Sequence, residues 1–431
     1  MSPGALDRKR GFALVLTLVL LALLVLAVVG LGTLARVGSR VAAASGQQAK
    51  ARQHARLALQ VALGQLQAAA GPDDRVTAMA GVAGIAAGPD ARTRHWCGVW
   101  TADGAFLCWL ASGAAGSAAA VAGEEVRLVD AGTVGAPTAN SEPVVAGRVP
   151  VLVFSAELGR RERDGSYAYW VGDLGVKIAV QAAPGAMTEP GAVRLPPATP
   201  PTSAAAKLRA ALVAHAAKLP RVLAYEQLAW LPRPEAPALT PSVLQDNFHH
   251  VALNAEFLDP AAVGGPRRSG RLNLNTTSVV AWRGLLESYP AGGDGPALDP
   301  AALGPSPTTS LPARIALHLA GAESPGKSAG GPFTSVAAFA GSALLADALA
   351  ASGAGVTPDE LMAAIGTRLA VRSDTFCIRA YGDAADPAAP AEPGATAVAE
   401  AIVQRTDAFA ADGLGRKFTV VRFRWLGPAD L

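Results

Sequence analysis

Charge is scarce in this 431-residue sequence: 37 Lys and Arg against 34 Asp and Glu leave only 16% of residues charged and a formal net charge of +3. With so small an excess, and no dense basic run interleaved with aromatics, nucleic acid is not an implied partner. The three cysteines include no C-x-x-C pair, and no H-E-x-x-H helix occurs. Nothing therefore points to catalysis, and no catalytic residue, metal site or cofactor is assigned. What the chain does have is apolar matter, 51% of residues, enough for two or three domains with their own cores.

The longest gap in charge is near the start. Arg8, Lys9 and Arg10 precede Gly11, and from Phe12 to Ala35 there are 24 uncharged residues. Roughly 20 suffice to cross the hydrocarbon core as a helix, so this stretch can span a bilayer. A cleavable secretory signal also opens on basic residues, but its apolar region is about 7–15 residues, shorter than this one. A plain uncleaved anchor satisfies length and hydropathy equally well.

The junction adds a specific feature. Arg8-Lys9-Arg10-Gly11 followed by Phe12 at the head of the apolar run resembles the type III signal of type IV pilins and pseudopilins. The resemblance implies that a prepilin peptidase cuts after Gly11 and that Phe12 becomes the N-methylated first residue. It also implies a single pass of the cytoplasmic (inner) membrane, with Phe12, Leu16, Leu20, Leu24, Val28 and Ala35 on the membrane and assembly helix and the large C-terminal part in the periplasm. Arg36, Arg40, Lys50, Arg52 and Arg56 make flanking charge ambiguous as a guide to orientation. Most members of that family carry glutamate where this chain has Leu16. A carboxylate is costly in lipid and in the family is offset by pairing with the terminal amine of a neighbouring subunit. A subunit without it resembles the K-type minor pseudopilins of type II secretion and PilX-like minor pilins, which implies a place at the tip of a fibre.

Beyond the membrane run, Leu59, Leu63 and Leu66 recur at i, i+4 and i+7, and Gly71-Pro72 ends the helical pattern. Together these predict one helix, residues 12–70, transmembrane then amphipathic, after a leader of residues 1–11. A break at Gly38 or Gly46 is the alternative. Residues 71–181 predict a β-rich module: "RHWCGVW" and "AFLCWL" flank a Thr101-Ala102-Asp103-Gly104 turn, followed by strands in "EEVRLVD", "RVPVLVF" and "YAYWVGDLGVKIAV". Cys97 and Cys108 sit on the two arms of that hairpin, where they form a disulfide outside the cytoplasm or remain buried thiols; both readings stand. Cys377 is read as a buried free thiol.

A Pro-rich linker occupies 182–203, a helical or irregular connector 204–265, and an α+β module 266–431 with a Gly/Pro-rich loop at 288–312. "GRLNLNTTSVVAWRGLL" resembles the Asn-Leu-Asn-Thr motif of the K-type family, which implies an architectural role for Asn273, Asn275 and Thr276. Thr276, Thr277 or Ser278 can cap the helix that follows. "GSYAYWVGDLGVKIAV" and the terminal stretches "GTRLAVRSDTFCIRAYG" and "FTVVRFRWL" resemble sheet strands of the same family. Over most of its length the chain resembles the verrucomicrobial pilin-like family called Verru_Chthon cassette protein A.

Two patterns compete with this reading. "GAESPGKS", Gly321 to Ser328, fits the phosphate-loop spelling, but Ala329-Gly330-Gly331-Pro332 follows instead of a helix, so no nucleotide is expected. His249 and His250 with Asp246 and Glu256 form the one cluster suggestive of a metal, and adjacent histidines diverge on either a strand or a helix. The expectation is an α+β protein, a long pilin-like helix followed by β-rich and mixed α+β modules. It acts as a non-catalytic subunit that caps or initiates a type II secretion or type IV pilus-like fibre, with other pilin-like subunits, the prepilin peptidase and the membrane as partners. A ligand-binding minor pilin of adhesin type and an anchored periplasmic enzyme are the alternatives.

Overall fold

A computed structural model describes residues 5–82, 92–114, 123–129, 143–155, 159–179, 225, 227, 247–253, 255–258, 267–269, 271–286, 298–304, 306–321, 331–386, 389 and 392–427. The linker at 182–203, most of the connector at 204–265, Asp246, and Lys327 and Ser328 of the phosphate-loop spelling lie outside these residues.

Helix α1, Ala5–Ala70, is continuous over 66 residues. At about 1.5 Å per residue it is roughly 100 Å long. Neither Gly38 nor Gly46 interrupts it. An isolated glycine costs a helix only about 1 kcal/mol, which the surrounding alanines and leucines absorb.

The strands, in chain order, are β1 (Arg75–Met79), β2 (Cys97–Thr101), β3 (Phe106–Trp109), β4 (Glu125–Val129), β5 (Val144–Gly147), β6 (Val149–Ser155), β7 (Arg160–Asp173), β8 (Ile178–Ala179), β9 (Val251–Ala252), β10 (Glu256–Leu258), β11 (Arg267–Ser269), β12 (Leu272–Asn273), β13 (Leu369–Ala370), β14 (Thr375–Ala385), β15 (Pro393–Phe409) and β16 (Arg416–Leu426). A five-stranded antiparallel sheet, ordered β16-β15-β14-β7-β6, forms the centre. It unites strands from the 71–181 and 266–431 stretches.

The alternation of β7 and β14 fixes what each face meets. Tyr169, Val171, Phe376, Ile378 and Ala380 face α1, joined by Val403 and Phe418. Ala168, Trp170 and Tyr381 face the opposite way, against Leu128, Val129, Val144 and Ala146 of the β4–β5 hairpin. The three-stranded sheet β1-β2-β3 closes one end of the α1-facing core through Cys97, Val99, Cys108 and Leu110.

A second core is helical. Helices α2 (Val279–Leu286), α3 (Leu311–Leu319), α4 (Val336–Ala340), α5 (Ala343–Ser352) and α6 (Pro358–Ile365) gather Trp282, Leu285, Ile315, Leu319, Phe339, Leu345 and Leu361, none of them exposed. Local chemistry sets their ends. Thr357 and Glu360 form a capping box at α6, and Gly353 takes the left-handed conformation, φ 65°, that stops α5.

The seam of α1 differs from the leucine face the sequence suggests. Ala51, Ala55, Ala58, Ala62, Leu66 and Ala70 are wholly buried, while Leu59 and Leu63 are only partly covered at the flanks. The reason is close approach: a Cβ on Gly382 of β14 would overlap the backbone N of Ala55 and the carbonyl O of Ala51. Only small side chains fit between helix and sheet at that separation.

Candidate functional site

The feature that stands apart chemically is the division of α1 into two environments. Its most apolar window is not buried at all, and it is the one helix among the described residues long and apolar enough to cross a membrane. Phe12 is 72% exposed, and Leu16, Leu20, Leu24 and Val28 are all exposed, as is Ala35. Gly11 lies within the helix, one residue before Phe12. From Ala51 onward the same helix is packed into the body.

The packed half of α1 is fastened to the body by polar contacts along the edges of the seam. Lys50 Nζ donates to Asp164 at 2.6 Å. His54 Nδ1 lies 2.6 Å from the Asp383 carbonyl, an acceptor only, so that nitrogen carries the proton. Gln65 Oε1 accepts from the Tyr169 hydroxyl at 2.6 Å, and Gln67 bonds both the Leu414 and Arg416 carbonyls and the Phe418 N–H. On the β16 side, Arg52 and Arg56 lie over the Trp425 ring at 5.5 and 5.7 Å.

The C-terminal end of α1 needs partners for its last carbonyls. Fully buried Arg405 supplies one, at the residue that follows the helix: its Nη2 donates to Gly71 O at 2.6 Å and also to Asp73, while Nη1 lies 3.4 Å from Asp374. Arg416 Nε adds a bond to Asp73 at 2.9 Å. Burial raises the Asp73 pKa, but its bonds to Arg416 and Arg405 outweigh that and hold the carboxyl below the usual range.

On the opposite face of the sheet, Glu400 receives Arg379 (2.9 Å), Arg424 (2.8 Å) and Arg422 (3.4 Å). Burial pushes this carboxyl up, yet the three guanidinium charges prevail and hold it at about 2. Arg379 also donates to Leu128 O and stacks on Phe248, 4.8 Å from the ring centroid. The cluster locks the β4–β5 hairpin to the sheet.

The Asn-Leu-Asn-Thr stretch is a polar hub between the two cores. Asn273 Nδ2 donates to Thr77 O (3.0 Å), Thr77 Oγ1 (2.9 Å) and Ser373 Oγ (3.1 Å), and its Oδ1 accepts from the Asn275 N–H. Asn275 exchanges two bonds with the backbone of Phe333, at 2.9 and 3.0 Å. Thr276 Oγ1 donates to Val176 O, and Ser278 is the residue whose hydroxyl accepts from Ala281 N at the start of α2. Asp173 joins the hub, accepting from Thr77 Oγ1 and from Gly175 N. Burial pushes its carboxyl up to about 6.

Cys97 and Cys108 are buried free thiols, as is Cys377. Cys108 pairs with Val99, and the Leu110 N–H bonds the Cys97 carbonyl. A bulge between Val99 and Trp100 therefore brings both cysteines onto one face, diagonal to each other. Burial raises Cys97 far above its ordinary value, Cys108 to about 11 and Cys377 to about 12.

The two histidines of the candidate metal cluster part company. His249 stacks on His95, centroids 3.6 Å apart, while His250 Nδ1 lies 2.9 Å from Ser278 Oγ. Among the described residues no three His, Cys, Asp or Glu side chains converge on a point that would hold a metal. Sequence reasoning missed Lys177, whose ammonium is buried, donates to Phe248 O at 2.7 Å and is held down to about 8 by burial. It also missed the Glu400 and Arg405 clusters, whose members lie far apart in the chain and carry no spacing signal.

No protein-family model matches the chain, and no curated protein matches it. Among solved structures, the chain is similar to one in the crystal structure of the GspK-GspI-GspJ complex from the enterotoxigenic Escherichia coli type 2 secretion system. The identity is 13% and the TM-score 0.32, with 64% of this chain and 83% of that chain covered. Similarity at that level assigns no role to any residue here.

Proposed function

We propose that this protein is a non-catalytic minor pilin- or pseudopilin-like subunit, anchored in the cytoplasmic membrane by α1 with its body in the periplasm. The observation that carries the proposal is α1 itself. One unbroken helix offers an apolar, wholly exposed first half to a nonaqueous environment and commits its second half to the fold. Such a helix serves as a membrane anchor and, packed against neighbouring helices, as the spine of a fibre.

The Gly11-Phe12 junction supports removal of residues 1–11 by a prepilin peptidase and methylation of Phe12. Leu16 supports a position with no subunit to pair beyond it, at the tip of a type II secretion or type IV pilus-like fibre. Its partners are then other pilin-like subunits that present helices of the same kind. No nucleotide and no cofactor enters this account.

Terminal sequencing or mass spectrometry of the protein recovered from its native membrane tests the reading. The expected mature terminus is Phe12, and retention of Met1 to Gly11 overturns the processing step. Co-purification of other pilin-like subunits is expected from native membranes. A body that turns over a substrate while recovering no such subunit argues for an anchored enzyme instead.

A further inference from the structure

Three side chains able to carry a positive charge share one small space beside Trp170: His95, His249 and Lys177. His95 belongs to the body, where its carbonyl accepts from Trp170 Nε1 at 3.1 Å. His249 belongs to residues 247–253, a strap held at one end by β9 running parallel to β8, with Ile178 level with Val251 and Ala179 with Ala252. Phe248 and His249 are both buried, so the strap is closed on the body through their rings.

The contacts there are specific. The His249 ring lies flat on that of His95, 3.6 Å away and 8° from parallel, while Phe248 and Trp170 meet it edge-on at 5.2 and 6.4 Å. Lys177 donates to the Phe248 carbonyl at 2.7 Å, and its ammonium lies 4.4 Å from the Phe248 ring centroid. Arg379 approaches the same ring at 4.8 Å, its charge matched by Glu400. Tyr225 packs edge-on against Phe248, and His250 turns away from the stack toward Ser278.

The shared space is about 10 Å3, room for at most one water. Among the described residues that line it, Cys97 and Asp173 are the acidic groups. Burial keeps the Cys97 thiol protonated, and the two oxygens of Asp173 are already engaged by Thr77 and Gly175. An imidazolium formed here would lie flat on a second imidazole and share its space with the Lys177 ammonium, without solvent or an unengaged anion beside it. Burial of a charge on those terms is costly, so the proton is refused or the ring leaves.

We infer that the stack of His95 on His249 is an acid-sensitive latch: protonation of either imidazole releases the 247–253 strap while the central sheet stays folded. Each ring kept neutral in the closed state contributes stability that is fully present above its free value of about 6.5 and declines as pH falls below it. The closed-to-open ratio then drops about tenfold per pH unit for each imidazole. Thr77 and Gly175 lie outside the strap, so Asp173 keeps both partners when the strap opens.

Hydrogen exchange of the full chain in detergent tests the latch, with rates corrected for the intrinsic pH dependence of exchange. The reporting amides are Ile178, which donates to the His250 carbonyl, and His250, which donates to that of Asn247. Between about pH 7.5 and 5 their opening is expected to rise roughly 30-fold for each imidazole that takes up a proton, while amides of β14 keep their protection. His95→Phe with His249→Phe keeps two flat rings in contact and is expected to abolish the rise. His250→Gln is expected to retain it, and Lys177→Met, which removes the neighbouring ammonium, to make it shallower. Protection in β14 verifies the fold of each variant. Opening that is unchanged or reduced in acid overturns the inference, as does an equal rise in β14, which is global unfolding. A rise of the same size in a folded double-Phe variant overturns it as well.

Discussion

Gly382 of β14 lies backbone to backbone against Ala55 of α1, with no room for a methyl group between them. The stem is thereby seated in the sheet more closely than leucine packing permits, and the alanine seam from Ala51 to Ala70 follows from that separation.

Gly382→Ala is therefore expected to push helix and sheet apart and destabilise the body by several kcal/mol, in the range of severe overpacking of about 1–3 kcal/mol or above. Gly64→Ala makes the contrast. A Cβ there meets nothing within 4 Å, so the change should leave stability unaltered or raise it by about 0.5–1 kcal/mol. Chemical denaturation of the two variants measures the difference.

Glu400→Gln leaves Arg379, wholly buried, without its carboxylate. Removal of one member of a buried ion pair costs about 3–5 kcal/mol. In the parent, the depressed carboxyl contributes stability that is fully present above its ordinary value of 4.5 and is lost as pH falls toward about 2. Denaturation midpoints across that window should fall steeply in the parent and more shallowly in the variant.

Asp173 acts with the opposite sign. Its folded-state value, raised to about 6 from 3.8, means that ionisation is disfavoured in the fold. Stability from this group rises as pH drops from about 6 to 3.8 and is lost above 6. In Asp173→Asn that rise should vanish while the acid loss caused by Glu400 persists, which stability measurements between the two windows resolve.

Asn273→Ala removes the donor to Thr77 and Ser373 and the acceptor for Asn275 N–H, all inside the protein. Each buried polar group left unpaired costs about 1–3 kcal/mol. A loss at or above the upper end is expected, with hydrogen exchange rising together in β1 and in the β12–α2 segment because the residue ties them to each other.

The three thiols should resist alkylation in the folded protein, since burial keeps each protonated. All three should react once the chain unfolds without reductant. Recovery of one reactive thiol instead of three would show that Cys97 and Cys108 are bridged.

Much of the architecture is readable from local pattern. The hairpin around Thr101–Ala105, the strands in "RVPVLVF" and "YAYWVGD", and the alternation of Phe376, Ile378 and Ala380 all carry period-two signals that the sheet uses. The alanine seam was not readable, because alanine contributes little hydropathic contrast and its role depends on a glycine more than 300 positions away. The bulge that aligns Cys97 with Cys108 and the split between His249 and His250 likewise depend on neighbours from distant segments.

By itself the sequence determined the apolar span from Phe12 to Ala35 and the Gly11-Phe12 junction, since these follow from hydropathy and residue order along one stretch of chain; that the helix passes Gly38 and Gly46 without a break was left open until the structure showed it. The tertiary structure alone decided which face of α1 is buried and that Arg405 bonds the residue that follows it. Those outcomes depend on the separation of helix and sheet and on strand register. Such quantities arise only when residues distant in sequence compete for the same space and the same hydrogen bonds.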